Sequence, residues 1–506
     1  MKKIVLDAGA ASVHGRGCYR ARFLPTLRPA MALSVVLLTV WLGGITEEML
    51  AYSADRSDRP NIILILADDL GYGDLGCYGQ SVLKTPHLDS LASAGVRFTQ
   101  FYAGCTVCAP SRSVLLTGQH TGHTPVRGNS LQPIVLPSGY PTIASMLQSA
   151  GYATGCIGKW GVGTPHDLTN PHQVGFDHFF GYVDMWHAHN FYPEFLIRNA
   201  MVVRLENEVA KKWKPFQQPG QPQHGRGVAQ KRVQYAPDLL ADAAIEFVKR
   251  HRDRPFFLYY AMNVPHANNE AGSDGMEVPT WGEYATRPWP DAEKGFAAMI
   301  SNIDRDCHRL VETVRQLGLA EQTLILFTSD NGPHHEGGHD ADFFDSNGPL
   351  TGYKRDLTEG GIRVPMIACW PNHIAPGGEA TGPWYFGDFF RTFASITGAP
   401  LPNNHELDSE DFSSVLLDGR LDATRTTPIY WEFHERGTAQ AVRFGRWKAI
   451  RQPMFDGPVR LFDLESDVGE ARDVAAQHPE IVRRAVEILD REHRMDPNWP
   501  VRGEAE

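Results

Sequence analysis

Two apolar runs far apart in the chain end on groups able to hold a cation. Asn61 to Asp69 reads NIILILADD and closes on Asp68 and Asp69; Thr323 to Gly332 reads TLILFTSDNG and closes on Asp330 and Asn331. Continuous apolar runs suit central strands of a parallel sheet buried on both faces, with polar residues where each strand leaves the sheet. Ligands of open α/β sheets bind at those carboxyl ends. Three carboxylates and an amide are therefore expected to converge on one point. A cysteine supplies a second chemical element. Cys105 to Gly118 reads CTVCAPSRSVLLTG, with Cys108 two residues before Pro110 and an apolar helix-like stretch behind it. Proline suits a first helical turn, where free N–H groups and the helix dipole favour an anion. The plainer reading of Cys108 is a buried structural thiol, which is common for this residue.

These groups need a scaffold, and the chain alternates helix and strand signals. LDSLASAGVRF, TIASMLQSAGYATGCIGKW and LLADAAIEFVKRHRDRPFFLYYAMNVPH each read helix, break, strand, which implies α/β layering. KKWKPFQQPGQPQHGRGVAQKR, Lys211 to Arg232, has the Gln, Pro and Gly content of a mobile loop or insertion. Beyond about Leu401 the character changes to short pieces, IYWEF, AQAVRF, RWKAIR and VRLFDL, followed by helix-like PEIVRRAVEILDREH. That pattern predicts a small antiparallel sheet with a terminal helix. The expected division is a leader over residues 1–53, a catalytic domain over 54–400 and a carboxyl-terminal subdomain over 401–506.

With 506 residues, 42% of them hydrophobic and 21% charged, the chain can fill one large core and a smaller one. Its formal net charge of −11 argues against a general nucleic-acid surface, so any anion site must be built locally. Arg16, Arg20, Arg22 and Arg28 precede the apolar run AMALSVVLLTVWLGGI, and Ala51-Tyr52-Ser53 follows it. That order is the pattern of a secretory signal, giving a secreted or periplasmic protein with no stable membrane insertion after cleavage. The run is shorter than the roughly 20 apolar residues that comfortably span a bilayer, so an uncleaved anchor fits less well. Of seven cysteines, setting aside Cys18 in the leader and Cys108 leaves an odd number, and no disulfide is assigned.

Two other chemistries can be weighed. Gly71-x-Gly73-x-x-Gly76 after a strand, with Asp89 beyond, resembles a dinucleotide-binding fingerprint. Asp68 and Asp69 would repel a pyrophosphate, however, and Pro86 falls where the helix should already be running. Asp330 with His334, His335 and His339 could ligate zinc as in a two-metal phosphatase. A Gly- and His-rich loop over the pocket is the simpler account, since no hydroxyl nucleophile is as well placed as Cys108.

Cys108-Ala109-Pro110-Ser111-Arg112, followed by Leu115-Leu116-Thr117-Gly118, resembles the signature of the type I sulfatases. The acid pair, GKW, PH, SDNG and EGGIRVP follow in family order, so the resemblance covers nearly the whole mature chain. It implies an alkaline-phosphatase-like α/β/α sandwich with a smaller α+β domain, and hydrolysis of a sulfate ester. It also implies that a maturation enzyme converts Cys108 to formylglycine. A serine hydroxyl would be left as a stable sulfate ester, whereas a hydrated aldehyde has two hydroxyls on one carbon. One attacks sulfur; the other, losing its proton, expels sulfate. Asp68, Asp69, Asp330 and Asn331 are implied to hold one calcium ion together with the modified Cys108. Arg112 matches the residue that steadies the hydrate, Lys159 and Lys354 the lysines that bind sulfate oxygens, and His266 the donor to the leaving alcohol. The remaining readings are a phosphodiesterase or phosphomonoesterase on the same fold, and a non-catalytic binder of sulfated glycans.

Substrate choice is more weakly written. Trp186, His187, His189, Tyr192 and the loop from Lys211 offer aromatic and basic surface suited to a sugar ring. HAHNFYPEFLIRN resembles bacterial sulfatases acting on sulfated galactose or N-acetylgalactosamine. One departure stands out: many relatives read Gly-Lys-Trp-His, where this chain has Gly161. That histidine helps deprotonate the formylglycine hydroxyl, and the expectation is that His189 enters in its place, with His187 as runner-up and Gly161 leaving it room.

Overall fold

The computed structural model describes residues 59–129, 134–210 and 225–501, so the expected leader and residues 211–224 of the expected loop lie outside the described residues. Four parallel strands form the centre: β1 (Asn61–Asp68), β2 (Ala153–Lys159), β3 (Phe256–Pro265) and β4 (Thr323–Ser329), side by side in the order β4-β1-β3-β2. Every residue of β1 is buried, and alternate residues enter different cores. Ile62, Leu64 and Leu66 pack on one face of the sheet, Ile63, Ile65 and Ala67 on the other. A strand covered on both faces must be apolar throughout, which is why NIILILA shows no alternation. Each such aliphatic side chain contributes about 1.5–3 kcal/mol by leaving water.

The full sheet has eleven strands and is mixed, because Arg363–Cys369 runs antiparallel beside β4. Helices Pro86–Ser93, Ile143–Ser149 and Ala236–His251 each lead into a strand, as the helix-break-strand reading expects. After β1 the glycine-rich segment makes only a short turn at Gly76–Tyr78 instead of opening a helix, and the helix that starts at Pro86 turns the side chains of Thr85 and Asp89 onto the N–H groups of Gly76 and Cys77. Residues 229–231 of the expected Lys211–Arg232 loop form a strand that pairs with Glu208–Val209.

Helix α1 (Cys108–Thr117) begins at the cysteine itself, with Pro110 in its first turn. It ends at Gly118, whose φ of 69° carries the chain out of the helix and lets its N–H bond to the Val114 carbonyl. All ten residues are buried, so its polar side chains must find partners inside. Ser111 accepts the Gly104 N–H, the Ser113 and Thr124 hydroxyls hydrogen-bond to each other, and Arg112 turns toward the strand ends.

The carboxyl-terminal pieces form a four-stranded antiparallel meander, Ile429–Phe433, Ala439–Phe444, Trp447–Arg451 and Val459–Asp463, followed by α2 (Pro479–Arg491). The described residues belong to one compact unit, and the meander shows how. Tyr430, Val442 and Leu461 pack on α2, whereas Ile429, Trp431, Phe433 and Phe462 join a core of the large sheet. Trp431 Nε1–H also donates to the Ala103 carbonyl at 2.9 Å. A buried charge cluster fastens the same seam: Lys448 lies 2.9 Å from both Glu359 and Glu470. Burial raises the Glu359 carboxyl, but Lys448 and Arg363 outweigh it and bring it to about 2.

Removing the ammonium would leave two buried carboxylates facing each other. Lys448→Met is expected to destabilise the fold by about 3–5 kcal/mol, read as a lowered urea midpoint, as for other buried pairs that lose one partner.

Candidate active site

Strand register delivers the acids. Ala67 pairs with Ser329 and Asp68 with Pro265, so Asp68, Asp69, Asp330, Asn331 and His266 leave neighbouring strands together, with Lys159 ending β2 nearby. Asp69 adopts a left-handed backbone (φ 69°), a conformation costly outside glycine and eased for Asp by local hydrogen bonds. Its N–H donates to Asp330 Oδ1 at 3.0 Å, and the next N–H, from Leu70, to Ser329 Oγ at 2.8 Å.

Three cations answer the three carboxylates. Arg112 from α1 places Nε and Nη2 at 2.9 and 2.8 Å from Asp330 Oδ2 and also donates to the Lys159 carbonyl. Lys159 Nζ bridges both oxygens of Asp68 at 2.8 and 2.7 Å. Lys354 Nζ reaches Asp69 at 2.8 Å, Glu336 at 2.9 Å and His266 Nε2 at 3.1 Å. All six side chains are buried. Burial pushes Asp68 up, yet the Lys159 and Arg112 cations hold it well below the usual carboxylate range. Burial and then the Asp68 charge raise Asp330 to about 7, against Arg112 and Lys159. Burial lowers Lys354 while Asp69 and Glu336 more than restore it, so it stays charged.

The donor set fits calcium. Asn331 Nδ2 donates to Asp69 Oδ1 at 2.7 Å, while Asn331 Oδ1 is buried with no hydrogen-bond partner. An unpaired buried carbonyl beside three carboxylates is an all-oxygen set of the kind calcium takes, and a dication would relieve the pressure on Asp330.

Cys108 Sγ faces the same centre, 2% exposed at the α1 amino terminus. Burial raises its thiol above the ordinary value, against the pull of Lys159. A protonated thiol is a poor nucleophile, so cysteine chemistry as such is not favoured here. His266 Nδ1 lies 2.6 Å from the Ala267 carbonyl, which accepts only if Nδ1 carries the proton; Nε2 then faces the centre with its lone pair. Burial and then Lys354 hold this imidazole well below its ordinary value, hence neutral.

The histidine-rich stretch is an irregular loop, and its histidines diverge. His334 Nδ1 accepts the Glu336 N–H, which leaves its proton on Nε2 for the Pro265 carbonyl at 3.2 Å. Both ring nitrogens are thus engaged by backbone groups. His339 pairs with Glu293 at 2.7 Å, and His335 lies at the surface beside Asp340.

One expectation needs correction. Gly161 does not leave room for His189: a Cβ there would lie 3.0 Å from Arg112 Cδ, with Arg112 Nε and Lys159 Cγ next nearest. Its φ of 80° also favours glycine. The Arg112 side chain takes the space, which accounts for the departure. His189 instead lies parallel on His266, ring centroids 4.6 Å apart, with Trp186 edge-on at 5.4 Å. His187 packs against Tyr182 and Phe195.

Three neighbours escaped sequence reasoning. Asn129 Oδ1 accepts the Ala109 N–H at 3.2 Å and lies 3.7 Å from Cys108 Sγ. Glu336 holds Lys354, and Glu270 lies 3.5 Å from His189. Glu336 had a signal, an acid inside HHEGGH, but Asn129 and Glu270 sit in loops with no local pattern to mark them.

Comparison with known proteins accords with this geometry. Residues 60–399 match the family model described as Sulfatase. Human arylsulfatase A is 34% identical over 88% of this chain and 91% of its own length. N-acetylgalactosamine-6-O-sulfatase of Bacteroides thetaiotaomicron is 30% identical, covering 93% of this chain and 98% of its own. The crystal structure of Ps i-CgsB in complex with k-i-k-neocarrahexaose superposes with a TM-score of 0.73 at 28% identity, over 87% of this chain and 94% of that one. A cysteine at a buried helix amino terminus, facing strand-end acids and two lysines, thus occurs in a chain that belongs to the type I sulfatases of the alkaline phosphatase superfamily, and the protein is a sulfuric ester hydrolase.

Proposed function

We propose that the protein is an exported sulfatase acting on a sulfated carbohydrate, with formylglycine derived from Cys108 and one calcium ion. The observation that carries this is the convergence of Cys108, Asp68, Asp69, Asp330 and Asn331 with the buried cations Arg112, Lys159 and Lys354. When bound, calcium polarises a sulfate oxygen as a Lewis acid. Formylglycine supplies, as its hydrate, two hydroxyls on one carbon. The remaining work belongs to the chain. Lys159 and Lys354 have ammonium groups to offer sulfate oxygens, each poised on a carboxylate that a dication would occupy instead. Arg112 holds Asp330 and lines the wall beside residue 161. His266, its Nδ1 proton committed to Ala267, turns the Nε2 lone pair toward Lys354 Nζ, and a proton taken up there from that ammonium is the one it would pass to the leaving alcohol oxygen.

The sugar assignment draws on the Bacteroides relative and the neocarrahexaose complex, together with the resemblance of HAHNFYPEFLIRN, and it favours sulfated galactose or N-acetylgalactosamine. Trp186 and His189 supply sugar-binding surface. Export rests on the leader at 1–53, ahead of a catalytic domain at 54–400 and a subdomain at 401–506; among the described residues no helix is long and apolar enough to cross a membrane.

Peptides spanning Cys108, from a host with the maturation enzyme, are expected to carry an aldehyde by mass spectrometry. Cys108→Ala should lose turnover by roughly a thousandfold or more while its thermal midpoint barely moves. Active enzyme with only thiol at this position would refute the formylglycine route. Metal analysis should return one calcium per chain, with Asp69→Ala and Asp330→Ala losing both metal and activity; two zinc ions would point to a phosphatase. Gly161→His, which reinstates the histidine, is expected to lower activity and cost on the order of 1–3 kcal/mol, because the new Cβ meets Arg112 and φ is left-handed. Higher kcat in that variant would contradict this account of the departure.

A further inference from the structure

Beside His266 lies a pair of buried polar groups that the reaction does not use. His189, on the turn His187–His189, and Glu270, on the turn after β3, face each other with Nδ1 and Oε2 3.5 Å apart. Their side chains are 6% and 9% exposed, and those two occluded atoms have only each other, at an ion-pair separation too long to count as a hydrogen bond. Leaving two such atoms unsatisfied costs free energy that a packed core avoids, so a group that bridges them is favoured. The His189 ring is stacked on His266, which places the pair within a carbon or two of the oxygen that His266 protonates. Trp186, edge-on to His189, adds an apolar wall.

We propose that Glu270 and His189 form a specificity subsite that binds a free hydroxyl close to the ester-bearing carbon of the sugar and turns away a second sulfate or a carboxylate at that place. A hydroxyl suits both partners, donating its proton to the Glu270 carboxylate and accepting from His189 Nδ1–H. A sulfate there would set anion against anion in a buried space, and like-charge contacts of that kind are how sites reject near-identical ligands. The subsite makes the enzyme one for sugars that carry a single anionic group in this neighbourhood, even though the protein must otherwise attract anions. This proposal rests on the sulfated-carbohydrate reading above.

The test compares kcat/KM for removal of the 6-sulfate from N-acetylgalactosamine 6-sulfate and from its 4,6-disulfate, using matured enzyme. Wild type is expected to prefer the monosulfate by on the order of a hundredfold. Glu270→Gln, nearly isosteric, should narrow that ratio about tenfold or more, and His189→Gln should lower kcat/KM for the monosulfate chiefly through KM. Calorimetric binding of the same two sugars to Cys108→Ala protein should show the same ratio in Kd, with unfolding midpoints reporting that each variant folds. An unchanged ratio in Glu270→Gln, or wild type that accepts the disulfate equally well, overturns the subsite. Wild type that cleaves 4-nitrophenyl sulfate but no sulfated galactose or N-acetylgalactosamine at any sulfate position overturns the carbohydrate reading instead, and cleavage of none of these substrates by matured enzyme removes the proposed formylglycine mechanism.

Discussion

The fork from Arg112 to Asp330, with both side chains wholly out of water, is the contact on which the site depends. Neither charge is tolerable alone at that depth, since a buried ion that loses its partner keeps its full desolvation cost. The helix carrying Cys108 and the strand end carrying Asp330 are therefore coupled: α1 cannot shift along its axis without stranding a charge. That coupling aims the amino terminus of α1 at the strand ends, where the Arg112 Nη1 bond to the Lys159 carbonyl ties in a third element. Gly161 completes the constraint by leaving no side chain in the path of the arginine.

Charge matching explains the rest of the centre. Asp68, Asp69 and Asp330 each meet a buried cation, Lys159, Lys354 and Arg112 in turn, so the protein can hold these acids together out of water. The balance is local and leaves Asp330 raised and Asn331 Oδ1 unpaired, which marks where a further positive charge belongs. Adding a dication gives the site an excess that an anionic sulfuryl group neutralises. Cation and substrate thus complement each other electrostatically inside a chain whose net charge of −11 would repel sulfate at long range.

Much of this was legible in the sequence because it depends on strand ends. A strand buried on both faces cannot hide its polarity pattern, so NIILILADD and TLILFTSDNG announced both the parallel sheet and the point where their acids meet. The start of α1 was readable from Pro110, and its end from Gly118. What could not be read was whatever depends on loop geometry. The role of Gly161 follows from a positive φ and the course of Arg112, neither of which spacing encodes. Its replacement by His189 was inferred from residue type alone, and the fold put that ring on His266. The contribution of the carboxyl-terminal strands was also hidden: IYWEF looks like a small sheet's strand, but its Ile429, Trp431 and Phe433 face belongs to the core of the large one.

Strain and unsatisfied polarity are distributed accordingly. Along β1 the side chains are apolar and packed, and its ladders to β3 and β4 satisfy its backbone. One residue further on, Asp69 is left-handed, Asn331 Oδ1 is unpaired, and beside them His189 Nδ1 and Glu270 Oε2 face each other at 3.5 Å without a hydrogen bond. Each departure costs stability, and a chain under no other demand would replace it with a packed apolar group. At the carboxyl ends of these strands several such departures come together on groups that could take a ligand. A structure held by the two cores of the sheet can tolerate them, and binding is what relieves them.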